Sequence, residues 1–392
     1  MEQIITAKLK LEVRPEESEI LLGTLSAFRN AMNYLFAENF NDKSTNIRTV
    51  HSKYYTLLRD KFNLPSQLAV SSERLLCSTT KTLWSRFKNQ KDKAVLKTVP
   101  KYKQLSAKYV INRDITIKTE SMVCSITTLS GRIKNIPLKG WRKHYSQIRA
   151  GKLRDPTLSY DKKSKTFYLF LPIHVLVEEK SPQLAVGIDA GIRTALTAVS
   201  STDTTKTYHI PETAKAKKAE FGKLRGDLQS KGTRSARRKL ASVSGRERRL
   251  ISDVTHCLSK QVVSDFQDAR IIMEDLTGIR ERTKTYRKNP EDRRQREQWN
   301  FAELQFKIGY KSVLYNGIES LKKNPAYSSQ TCPVCGFCSP KNRNRGAETF
   351  RCLQCNFEKN ADIVAARNIL SLGLFVNQPI VPGSPVEQAP RL

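Results

Sequence analysis

Three acidic residues sit at the ends of apolar segments, where a carboxylate is costly to bury unless something positive meets it. Asp189 closes the apolar run 184–188, Glu274 closes the run 271–273, and Asp362 opens the segment 361–370. The first two runs predict buried strands, whereas Ile363, Ala366, Ile369 and Leu370 recur at helical spacing and predict a helix. Three such carboxylates fit two-metal phosphodiester hydrolysis: Asp189 would bridge both ions, and Glu274 and Asp362 would hold one each. Oxygen ligands in octahedral geometry favour Mg2+ or Mn2+.

A second constellation is built from sulfur. Cys332, Cys335, Cys352 and Cys355 form two CxxC pairs separated by sixteen residues, the spacing of a zinc ribbon. Two thiolate knuckles complete a tetrahedron, so this would be a closed structural Zn2+ site without room for a reactive water. Cys338 lies three residues after Cys335 and could shift the register, but Gly336 suits a knuckle turn after Cys335, which makes Cys338 a bystander. Cys77, Cys124 and Cys257 are scattered and read as small buried hydrophobes.

The elements around these residues follow from patterning. Residues 3–13 alternate as a strand, and Pro15 with Glu16 and Glu17 marks a helix start. Leu21, Leu25, Phe28, Met32 and Leu35 form an amphipathic stripe, with two further helices through Tyr54, Leu58 and Phe62 and through Leu68, Leu75, Leu83 and Phe87. From about residue 100 to 180, short alternating segments at 109–117, 122–128, 132–137, 158–160 and 167–175 predict a small β-barrel or meander, which the first strand could join. Strands at 184–189, 193–199, 207–210 and 270–275, with a helix carrying Leu250, Val254, Leu258, Val262 and Phe266, match the start of an RNase H-like domain. There the first and fourth strands are neighbours, which would set Asp189 beside Glu274. Four prolines in 373–392 suggest a mobile tail.

The charge names the class of partner. Against 37 acidic residues stand 69 Lys and Arg, a formal net charge of +32, and a chain so basic calls for a polyanion of matching extent. Residues 211–250 carry thirteen Lys or Arg against four acids, and Arg234, Arg237, Arg238 and Lys239 cluster ahead of the apolar stripe as candidate nucleic-acid contacts. A second dense run spans 281–298, and Arg343 and Arg345 lie on the loop between the cysteine pairs, placed to grip phosphates. No apolar stretch reaches the ~20 residues of a membrane span. The start has no signal-peptide order, so the chain is expected in a prokaryotic cytoplasm or nucleoid with its cysteines reduced.

The segments VGIDAGIRTALTAV, IIMEDLTGI, WNFAELQFKIGYKSVLYNGI running into AYSSQTCPVCG, and CLQCNFEKNADIVAARNIL resemble the TnpB family of transposon-encoded RNA-guided DNA endonucleases, relatives of the miniature type V CRISPR effectors. The amino half matches loosely, through YYTLLRDKFNLPSQLAV. The resemblance implies an α/β multidomain chain. A wedge β-barrel (1–14 and 100–180) would be interrupted by a helical recognition domain (15–99), and a RuvC nuclease (183–325 and 359–372) would carry an inserted zinc ribbon (326–358). It places the family's catalytic carboxylates on Asp189, Glu274 and Asp362. Val364 stands where the family often has Asn, a departure that leaves the acids intact. It further implies a guide RNA, double-stranded target DNA read beside a short flanking motif, and action as a monomer. A nuclease-inactive RNA-guided repressor and a transposase remain the alternatives.

Overall fold

The structure is a computed structural model, and it describes residues 1–90, 98–191, 194–276, 301–344 and 348–374. It divides into two compact units, Glu2–Leu176 and Val177–Leu392 with Met1.

In the first unit, β1 (Glu2–Leu11) leads into α1 (Pro15–Asp42), α2 (Ile47–Phe62) and α3 (Ser66–Gln90). The chain then returns to strands β2 (Ser106–Lys108), β3 (Ile115–Lys118), β4 (Val123–Thr128) and β5 (Gly131–Lys139). After α4 (Arg142–Ala150) come β6 (Lys152–Leu153), β7 (Thr157–Asp161) and β8 (Thr166–Leu176). The sheet order is β2-β7-β8-β1-β5-β4-β3, with β6 on β8, so β1 lies inside the sheet and the three helices are inserted after it. The order is open, ending at β2 and β3, where the sequence reading allowed a barrel or a meander. Leu21, Leu25, Phe28, Met32 and Leu35 are fully buried in one core with Leu9, Leu169 and Leu171 of the sheet, which is why the stripe is continuous.

One expectation in this unit changes. The strand expected over 109–117 is broken, because Asp114 accepts a hydrogen bond from the Val110 N–H and Asn112 takes a left-handed φ of 62°. A side chain that satisfies the backbone locally competes with a ladder. Helix α4 starts after Trp141, with the Gly140 N–H donating 2.7 Å to the Tyr145 hydroxyl and Ile148 buried.

The second unit opens with β9 (Leu184–Asp189), β10 (Leu196–Ser200) and β11 (Thr205–Tyr208), then α5 (Glu212–Lys231), α6 (Arg234–Asp265) and β12 (Ala269–Glu274). Helix α7 (Phe301–Lys311) runs on through a π-helical turn, Ser312–Asn316, to β13 (Leu321–Lys323). A small sheet of β14 (Arg343–Asn344), β15 (Thr349–Arg351) and β16 (Glu358–Asn360) precedes the last helix, α8 (Ala361–Leu374). The main sheet has the order β11-β10-β9-β12-β13, with β9 and β12 parallel neighbours. The helix expected around residue 250 begins sixteen residues earlier, at Arg234: Gly232 ends α5 at a φ of 61°, and the Thr233 hydroxyl accepts the Ala236 N–H to start α6. Val254, Leu258, Val262 and Phe266 pack with Ile188 and Ile271 in one core.

Candidate active site and cysteine cluster

Asp189 and Glu274 arrive together because their strands are paired in parallel. The register sets Ile272 opposite Gly187 and Met273 opposite Ile188, so the next step brings Glu274 level with Asp189. The two carboxyl groups share a hydrogen bond, and Glu274 Oε1 also accepts from the Ala190 N–H at 3.1 Å. From the other side, the Gln305 amide on α7 donates 2.9 Å to the Glu274 carbonyl, anchoring the end of β12.

Asp362 is delivered by a close approach of helix to strand. A Cβ built on Gly187 would lie 2.2 Å from the Ala366 carbonyl oxygen, so only glycine lets α8 seat directly on β9. From that contact Asp189 is two residues along the strand, about 6.6 Å. Asp362 is four residues back along the helix, about 6 Å. The two rises match, which brings Asp362 close enough to act on the Asp189 carboxyl. At the turn beyond β9, a Cβ on Gly191 would stand 3.7 Å from Asp362 Oδ2. Burial, then Glu274 and Asp362, push the Asp189 carboxyl well above the usual carboxylate range, with Arg343 acting in the opposite direction. Arg343 reaches in from β14 to within 3.6 Å of Asp362 Oδ1. Asp362 itself lies in the first turn of α8, where a negative charge is favoured by the helix dipole.

The cysteines form two matching knuckles. The Val334 and Gln354 N–H groups each point at the first sulfur of their pair, at 3.4 Å, and the Gly336 and Asn356 N–H groups return to the carbonyls of Cys332 and Cys352 at 3.0 Å. Gly336 and Asn356 both take positive φ, 73° and 58°, so the two turns share one conformation. The sulfurs of Cys332, Cys335, Cys352 and Cys355 all lie within 4.8 Å of one another, whereas Cys338 is exposed outside the group. Among the described residues this is the one set of His, Cys, Asp and Glu ligand atoms that is so tightly gathered.

The remaining candidates fall elsewhere. Arg234, Arg237, Arg238 and Lys239 are exposed on the first turns of α6, not on a segment ahead of it. Arg234 and Arg237 lie in the first turn of α6, where a cation opposes the helix dipole, so the fold gains nothing from their charges there. Arg345 and the basic run 281–298 lie outside the described residues, as does 375–392 of the expected tail. Sequence patterning missed Gln305, Arg343's approach to Asp362, and Asn360, whose side chain accepts the N–H groups of Asp362 and Ile363 at 2.9 and 3.3 Å. An Asn just ahead of an apolar helical repeat is a cap signal that could have been read.

A family model described as Cas12f1-like, TNB domain matches residues 301–369, and one for a probable transposase of the OrfB/IS605 type matches residues 162–277. A TnpB-like protein of Methanocaldococcus jannaschii is 38% identical over 32% of this chain and 44% of its own length. A second one from that organism is 29% identical over 52% of this chain and 46% of its own. Over these segments the chain is similar to TnpB-family proteins. The CRISPR-associated endodeoxyribonuclease Cas12f1 of Sulfoacidibacillus thermotolerans is 41% identical over 25% of this chain and 21% of its own length. The chain thus spans less than half the length of these curated relatives. In fold it is similar to Cas12f1 solved with its sgRNA and target DNA, at a TM-score of 0.64, 16% identity and coverage of 91% of this chain and 83% of that one. It is also similar to the mini-RNA-guided endonuclease CRISPR-Cas_phi3, at a TM-score of 0.55, 12% identity and coverage of 97% and 93%. Among the described residues, no helix is long and apolar enough to cross a membrane.

Proposed function

We propose that this chain is an RNA-guided DNA endonuclease, which binds a guide RNA, reads a short motif beside its double-stranded DNA target and cuts that DNA at a single RuvC-like site. The observation that carries the reading is the convergence of Asp189, Glu274 and Asp362 from β9, β12 and α8. The donor set fits hard divalent cations: all three groups are carboxylates, and their mutual repulsion leaves a place for positive charge. Asp189, Glu274 and Asp362 would together hold Mg2+ or Mn2+ ions. Bound there, such ions lower the pKa of an attacking water and stabilise the leaving 3′ oxygen. Glu274 is oriented by the Ala190 N–H and held in place through Gln305, and the Arg343 guanidinium stands where it can neutralise a scissile phosphate.

The four gathered sulfurs fit Zn2+, which four thiolates would close in a tetrahedron with no position for a reacting water. In domain terms, residues 183–325 and 359–372 would be the nuclease, 326–358 its zinc ribbon, and the first unit the wedge and recognition domains. Guide pairing would delegate sequence choice to RNA and would account for a charge of +32 on a chain that must hold an RNA and a heteroduplex. We read the chain as acting as a monomer in a prokaryotic cytoplasm.

The test is cleavage of a matched double-stranded DNA by the guide-loaded protein in Mg2+. Asp189→Ala, Glu274→Ala and Asp362→Ala should each abolish cutting while guide and target affinity stay unchanged. Wild-type cutting by Asp362→Ala would sink the assignment, and target binding without cutting by the unaltered chain would select the repressor reading.

A further inference from the structure

We propose that the cysteine ribbon is what holds Asp362 in place, with Asn360 and Asn368 as the positioning residues that tie it to α8. The ribbon is then part of the carboxylate site. This rests on the reading of Asp189, Glu274 and Asp362 as ligands of divalent cations.

Four sets of contacts carry it. The last ribbon strand, β16, ends at Asn360, and the Asn360 side chain accepts the N–H groups of Asp362 and Ile363, fixing the turn that bears the acid. The Ala361 N–H donates 2.9 Å to the Glu348 carbonyl, next to β15 of the ribbon. Two turns into α8, the buried Asn368 amide donates to the carbonyls of Ser328 at 2.6 Å and Thr331 at 2.8 Å, directly ahead of Cys332. Finally, Cys332, Cys352 and Phe350 share one small core with Ala361 and Val364, so the first turn of α8 is interior to the ribbon. The opposite face of the same helix seats on Gly187 of β9 and on Ile272 of β12. The amino-terminal half of α8 is therefore clamped between ribbon and sheet, and Asp362 lies inside the clamp.

A ribbon core of five buried residues, two of them thiols, is too small to hold its shape without metal. Loss of the ribbon's ion would free Asn360 and the first turn of α8, leaving only the sheet side of the clamp. Outer-shell residues that orient metal ligands typically cost 10–100-fold in metal affinity when removed, so the effect on the carboxylate site is expected at ~10-fold or more.

The experiment titrates the full-length, RNA-free protein with Mn2+, reading free ion by electron paramagnetic resonance, and measures zinc content in parallel. Asp362→Ala serves as the reference. Asn368→Ala and Asn360→Ala should weaken Mn2+ binding ~10-fold or more while retaining a full equivalent of zinc, and Asn360→Ser, which keeps a capping oxygen, should bind as wild type. Should Asn368→Ala fail to fold, the Asn360→Ala and Asn360→Ser pair decides. Wild-type Mn2+ affinity in both Ala variants, alongside a weakened Asp362→Ala, overturns this inference and leaves the nuclease reading standing. Wild-type affinity in Asp362→Ala removes Asp362 from the ligand set and takes the reading beneath the inference with it.

Discussion

Replacing Gly187 with Ala adds one methyl group, far from any carboxylate in sequence terms except Asp189 two residues on, and should disable the candidate active site. The added Cβ would stand 2.2 Å from the Ala366 carbonyl oxygen and 2.5 Å from the Leu370 nitrogen, both backbone atoms of α8 that no rotamer change can move. An unstrained contact needs about 3.5 Å, so the helix must retreat by about 1 Å or tilt to the same effect. Asp362 is one turn from Ala366 and moves with it. A displacement of about 1 Å in a reacting group can cost ~10²-fold in rate. Overpacking of this kind costs roughly 1–3 kcal/mol in stability, which leaves a well-folded domain folded. The assay is single-turnover cleavage by the guide-loaded protein at saturating Mg2+, with thermal unfolding and guide affinity measured beside it. Gly23→Ala is the control: Gly23 lies inside α1 with nothing within 4 Å of its would-be Cβ, and the change should leave cutting intact and stabilise α1 by at most ~1 kcal/mol. Cutting by Gly187→Ala at the wild-type rate would refute the argument that this close approach delivers Asp362.

Two further outcomes are expected. Changing any of Cys332, Cys335, Cys352 or Cys355 to Ser should remove bound zinc and lower the unfolding temperature of the ribbon, whereas Cys338→Ser should do neither; loss of zinc with Cys338→Ser alone would move the ligand register. Changing Arg234, Arg237, Arg238 and Lys239 together to Ala should weaken guide or target binding and flatten its dependence on log salt by up to ~0.9 per lost duplex contact, and an unchanged salt slope would assign the four to a merely solvated helix face.

How much of this could be read beforehand depends on how local the cause is. The adjacency of Asp189 and Glu274 was legible, because two short apolar runs each closed by an acid, with a hairpin and a long helix between them, restrict the sheet order to a few arrangements. The cysteine knuckles were legible for the same reason, since the turn conformation at Gly336 is encoded within four residues. The break in the strand at Val110 was not, because a single Asp114 side chain overrides the alternation around it. Nor was the start of α6, where the charge of the segment reads as surface and masks a helix whose cap is one threonine. The role of Gly187 lies wholly in tertiary packing: within an apolar strand, nothing about a glycine says which backbone it must admit.

The elements that bring the acids together owe nothing to the acids themselves. The parallel ladder of β9 and β12, the seat of α8 on Gly187 and the Gln305 anchor would all survive their neutralisation. Asp189 is therefore held against its own electrostatic preference. Its folded-state pKa is raised by burial, by Glu274 and by Asp362, so the folded chain keeps this proton more tightly than the unfolded chain does. Stability then falls as pH rises from the ordinary carboxylate range through the raised value, and that loss is fully present at pH values above it. Asp189→Asn keeps the shape and removes the charge, so in Mg2+-free buffer at alkaline pH it should unfold at a higher temperature than wild type while being unable to cut DNA. Added Mg2+ should then raise the wild-type unfolding temperature and leave that of Asp189→Asn nearly unmoved, because a ligand that binds only the folded state stabilises by mass action. A variant less stable than wild type without Mg2+ would mean that Asp189 is satisfied by its neighbours as it stands, and that the site has no electrostatic reason to recruit cations.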